Sequence, residues 1–140
     1  MSLFSVDPLP PNRNFPGQRW IRISLRSLHL LFMGLLLGGV AQGLPMSQLP
    51  VAYWGTIATG GLFALLDLYN TTVWIFQIKG WVVMAKIFLM AAAGQTEAWS
   101  LWLLGSAVIL GGVSSHMPGN LRYYSILHGR VLKGEKPAGG

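Results

Sequence analysis

The sequence contains no cysteine. That excludes a disulfide framework and any thiolate-ligated metal or iron–sulfur site, and it leaves the redox compartment unread. Charge is scarce as well. Asp, Glu, Lys and Arg make up 10% of the 140 residues, where an ordinary globular domain carries ~25%. No nucleophile–base constellation, phosphate loop or carboxylate dyad is recognisable, so the residues point to a protein that is not an enzyme. The opening "MSLFSVDPLPPNRNFPGQRW" has four prolines, no apolar core and no small-residue cleavage site. It reads as an irregular arm over 1–19 and not as a signal peptide.

Apolar residues, in contrast, reach 52%, with eighteen glycines and six tryptophans. They gather into four stretches, and a straight membrane span needs ~20 residues. Spans are predicted at about 27–44, 51–77, 80–96 and 98–115. The third is the shortest and reaches span length only with residues taken from its flanks. Together they form a transmembrane domain over 20–115, followed by an interfacial segment and tail over 116–140.

The net charge of +6 would suggest nucleic acid in a soluble chain, but its distribution gives a different reading. With the N-terminus inside, Arg13, Arg19, Arg22, Arg26, Lys79, Arg122, Arg130, Lys133 and Lys136 all fall on the inner face. The outer loops "PMSQLP" and "GQTEAW" hold no Lys or Arg, as the positive-inside rule requires. The fold class expected is all-α: a four-helix integral membrane bundle with both termini cytoplasmic, in a bacterial inner membrane. Short connections make successive helices antiparallel neighbours. Trp20, Trp54, Trp74, Trp81 and Trp99 fall near the expected interfaces, where an amphipathic ring is at ease.

Several residues could carry chemistry. Gly34, Gly38, Gly39 and Gly43 form overlapping small-xxx-small steps that let a second helix approach closely in lipid, either inside the bundle or from another protein. Gly111 and Gly112 could do the same in the fourth helix. Asp67 is an intramembrane carboxylate, and Lys86 on the next helix is its expected partner. The pair would hold two helices in register with Tyr69, Asn70 and Thr71 nearby; the alternative is a proton or cation step at Asp67. His29 with Met33 on the same face, and His116 with Met117, are possible ligands for copper or haem iron. The alternative is that the two imidazoles cap carbonyls or meet headgroups. No cofactor is expected, with haem b or copper the groups these ligands would suit.

The stretch "SSHMPGNLRYYSILHGRV" ends the last span, because Pro118 cannot continue a helix and restricts the residue before it. Beyond it Leu121, Tyr124, Leu127, Val131 and Leu132 recur at helical spacing. A short amphipathic helix on the cytoplasmic leaflet is predicted, with Arg122, Tyr124, Arg130 and Lys133 available to anionic lipid headgroups or a partner subunit.

"RSLHLLFMGLLLGG", "ATGGLFALLDLY" and "KGWVVMAKIFLM" together resemble the bacterial four-helix inner-membrane proteins similar to the copper-resistance D-type domain, over about 26–94. The resemblance implies transport of copper or a small ligand, with His29 at the matching position. "SSHMPGNLRYYS" resembles the tail of uncharacterised bacterial four-span proteins. From the residues themselves, the expected function is that of a non-catalytic accessory or assembly subunit of a larger membrane complex. Its partners would be other membrane subunits, further copies of itself and anionic lipids, with no nucleic acid. A carrier for a metal ion, proton or small solute is the alternative, and a one-haem quinol-reactive protein a third.

Overall fold

A computed structural model describes residues 12–132. Four long helices run antiparallel: α1 (Gln18–Ala41), α2 (Pro50–Asn70), α3 (Ile78–Gln95) and α4 (Glu97–His116). Each is long and apolar enough to cross a membrane. Large apolar side chains in their middles face outward: Phe88 is 73% exposed and Ile109 68%. In water such a surface would be a liability; in lipid it is the solvated face. The chain is therefore a multi-pass helical membrane protein.

The helix ends follow from local chemistry. α1 begins nine residues ahead of the expected 27, so Arg19, expected in the arm, and Arg22 and Arg26, expected just ahead of the first span, all stand on helix. It stops at a Schellman motif. Gly43 adopts φ +84°, its N–H donates to Val40 O at 3.0 Å, and the Leu44 N–H donates to Gly39 O at 3.0 Å. Glycine takes that conformation without the Cβ penalty other residues meet. α2 starts with Pro50, whose missing N–H costs nothing at a helix start. It ends at Asn70 instead of running on to 77, where two threonines in succession leave the helix for a 3₁₀ turn over Thr72–Phe76. The arm captures that end, the Arg13 N–H donating to Asn70 O at 2.9 Å.

Two hairpins result, α1 with α2 and α3 with α4, which meet chiefly where α1 packs on α4. The apolar core of Leu36, Val40, Ala52, Met90, Ala93 and Leu104 lies toward the end that carries the α1–α2 loop. Besides Gly39, close approach comes from glycines that spacing did not single out. A Cβ on Gly55 would lie 2.5 Å from the Phe32 ring, and one on Gly60 would lie 2.9 Å from the His29 ring. Of the α1 glycines, Gly39 alone is pressed, by Leu49 at 2.7 Å, and Gly43 serves the turn. Four tryptophans are exposed at helix ends as expected, whereas Trp74 is 2% exposed inside the 3₁₀ turn.

The C-terminal segment corrects the expected amphipathic helix. One helical turn, α5 (Gly119–Arg122), is followed by a two-stranded antiparallel hairpin, β1 (Tyr124–Ser125) with β2 (Arg130–Val131). Gly129 at φ +61° makes the turn possible, and Tyr and Val favour the pleated strands. The hairpin docks on the link between α2 and α3. Gln77 bridges to Ser125, the Gln77 Nε2 donates to Leu132 O at 2.6 Å, and Leu132 is 1% exposed beside buried Val73.

Candidate functional site: a basic cleft at the polar end of the bundle

The seam between α1 and α2 changes character along its length. At one end it is apolar. Toward the other, α1 presents Gln18, Arg22, Arg26 and His29 at intervals of four, four and three, the spacing of one helix face. The opposing face of α2 carries Thr56, Thr59, Phe63, Asp67 and Asn70 by the same rule. Rung by rung they pair. Arg22 Nη2 lies 2.8 Å from Asp67 Oδ1, the two side chains 31% and 19% exposed. The Asn70 amide is oriented by its neighbours: its oxygen accepts from Gln18 Nε2 at 2.8 Å and from the Arg22 guanidinium, and its nitrogen donates to Arg13 O at 2.7 Å. Arg22 and Arg26 both lie over the Phe63 ring, at 5.7 and 5.6 Å from its centroid.

The counter-ion of Asp67 is thus Arg22 on α1, not Lys86 on α3. Lys86 is half-buried and turned the other way, its Nζ 3.9 Å from where a Cβ would stand on Gly111 of α4. Among the described residues the Arg22–Asp67 pair is the only salt bridge. The reason is geometric: α2 packs far more extensively against α1 than against α3. Asp67 therefore faces the helix that offers an arginine at its own depth.

His29 is a seam residue. Its Nδ1 lies 3.1 Å from Thr56 O and 3.1 Å from Thr59 Oγ1. A carbonyl can only accept, so Nδ1 carries the proton and donates. Both threonines satisfy their own hydroxyls within α2, Thr56 on Ala52 O at 2.7 Å and Thr59 on Gly55 O at 2.6 Å. Met33 packs against the apolar core, and His116 is exposed at the last position of α4. Among the described residues no three His, Cys, Asp or Glu side chains gather as metal ligands.

Below the seam opens a cleft of about 1090 Å³, bounded by the arm, both ends of the α1–α2 hairpin's polar side, the start of α3 and the C-terminal hairpin. Among the described residues, Arg19, Arg22, Arg26, Lys79 and Arg122 line it against a single carboxylate, Asp67. Lys79 also sits 4.8 Å from the centroid of the Tyr123 ring. Of the residues singled out on the C-terminal segment, Arg122 faces this cleft. Tyr124 and Arg130 belong to the hairpin strands, and Lys133 lies outside the described residues, as do 1–11 of the arm. Arg22, Phe63, Lys79 and Tyr123 were not singled out as a site by spacing. The polar stripe Gln18–Arg22–Arg26–His29 is the sequence signal that marks it.

Comparison with known proteins gives no match to a protein family, a curated protein or a solved structure.

Proposed function

We propose that the chain is a non-catalytic membrane subunit that associates through α1 with a transmembrane helix of another subunit, in a bacterial inner membrane with both ends cytoplasmic. The observation that carries this reading is the open face at Gly34 and Gly38. One helical turn apart, both have nothing within 4 Å of where a side chain would project, and exposed Leu30, Leu31 and Leu35 flank them. Inside lipid, small residues on an outer helix face let a second backbone come close enough for van der Waals packing. The alternative of a carrier built on a lone carboxylate has less support, since Asp67 has Arg22 as its partner.

Native mass spectrometry after extraction in a mild detergent tests the association. The protein should appear bound to another membrane subunit, and Gly38→Leu should release it while Ile109→Phe, on the exposed face of α4, should not. A monomer in both cases would remove the reading. Orientation has its own test, because every described cation except Lys86 lies at or near the end of the bundle that carries the arm and the hairpin. A reporter fused after Lys136 should be active only in the cytoplasm and a tag at Ser47 should be reached only from outside. The reverse at either position would invert the topology.

A further inference from the structure

The cleft at the polar end combines two features that a solvated charge cluster lacks. Among the described residues its positive charge is in excess: five cationic side chains face one carboxylate, and the other described acid, Glu97, begins α4 at the opposite end of the bundle. Its lining also changes along the helix axis. Arg19, Lys79 and Arg122 lie toward the polar end, Arg26 follows two turns on from Arg19 along α1, and Leu30, itself 64% exposed, and Phe63 lie furthest toward the middle of the bundle. From Gln18 to Leu30 the α1 wall rises about 18 Å at ~1.5 Å per residue. That covers the headgroup layer of one leaflet, roughly 5–8 Å, and the first part of its acyl chains.

A small soluble anion would use the cations and leave the apolar stretch at Leu30 and Phe63 unmatched. A zwitterionic lipid would match the wall and leave the charge uncompensated. From these two observations we infer that the cleft is a binding site for one acidic glycerophospholipid, its phosphodiester held by Arg19, Arg26, Lys79 and Arg122 and its acyl chains laid along Leu30 and Phe63. Arg22 takes no direct part, because Asp67 and Asn70 already engage its guanidinium. The Lys79 ammonium and the Arg26 guanidinium are each held against an aromatic face, so both are placed before the lipid arrives and little side-chain freedom is lost on binding.

Delipidated full-length protein in a neutral detergent, titrated with dimyristoyl phosphatidylglycerol or dimyristoyl phosphatidylcholine and read by native mass spectrometry, tests the inference without any variant. One phosphatidylglycerol should bind with roughly tenfold preference, the scale expected when about one surface charge interaction distinguishes two lipids. Arg26→Gln with Arg122→Gln should abolish the preference, while Arg130→Gln, outside the cleft, should leave it within about twofold. Inorganic phosphate and glycerol 3-phosphate, at concentrations equal to the lipid, should fail to displace it. Equal binding of the two lipids would overturn the site. Displacement by inorganic phosphate would show an anion site with no use for the acyl chains, and an equal loss in Arg130→Gln would show diffuse attraction with no defined cleft.

Discussion

Asp67→Asn and Arg22→Gln each lower the unfolding free energy by about 1–3 kcal/mol, and the double variant loses clearly less than the two losses added. Breaking a fully buried ion pair commonly costs ~3–5 kcal/mol, since the remaining charge is left without its counter-ion. This pair keeps 31% and 19% of its side-chain surface open, so water at the cleft screens part of that cost. The remaining amides in the double variant can still hydrogen-bond across the seam, and Asn70 still accepts from Gln18. The measurement is a double-mutant cycle by denaturant titration in detergent, with the interaction energy expected within the range ~0.5–3 kcal/mol. The same cycle on Asp67→Asn and Lys86→Met should be additive to within ~0.5 kcal/mol, because Lys86 turns toward α4. Coupling of Asp67 to Lys86 in place of Arg22 would refute the assignment of the pair.

Gly80→Leu is expected to cost at least about 1–3 kcal/mol, the usual range for overpacking a filled site. A Cβ on Gly80 would run into the carbonyl oxygen of Trp74, with Ile75 Cα 3.3 Å away. These are backbone atoms and cannot swing aside as a side chain can. The Trp74 carbonyl is also committed, accepting the Gln77 N–H at 3.2 Å. Relief would have to come from the 3₁₀ turn itself, which carries Gln77 and with it the hairpin. Gly61 on α2 is the control. Nothing lies within 4 Å of its would-be Cβ, so Gly61→Ala should be neutral or stabilise by up to about 1 kcal/mol through helix propensity. Thermal unfolding in one detergent, followed by circular dichroism, compares the two. A Gly80 variant as stable as the Gly61 variant would mean that the turn yields freely.

The four spans were legible because each is a long apolar run broken by proline, glycine or paired threonines, signals that act within a few residues. Their pairing was less so. Spacing along α1 marked Gly34 and Gly38 for close approach, inside the bundle or from another protein; inside the bundle α1 and α2 approach through Gly55 and Gly60 instead, because the bulky partners that need room are Phe32 and His29. Asp67 was recognisable as an intramembrane acid. Its partner depended on which helix faces it, and that is set by packing along the whole seam. The C-terminal helix failed for a different reason. Apolar residues at helical spacing over so short a stretch also fit a hairpin, and Gly129 together with the docking of Leu132 on Gln77 decides for the latter. The cleft itself draws on the arm, two helices, a turn and the hairpin, so no single segment displays it.

That last dependence sets an order on biogenesis. Leu132 leaves the ribosome 55 residues after Gln77, whose amide it receives, and α4 must be made and threaded between the two events. While α1, α2 and α3 enter the bilayer, the Gln77 side chain therefore stands uncovered, and the wall that Arg122, Tyr123 and Leu132 supply is still missing. The polar end closes only once synthesis has passed the hairpin, so a chain stalled or cleaved before Leu132 would hold its spans and lack its cleft.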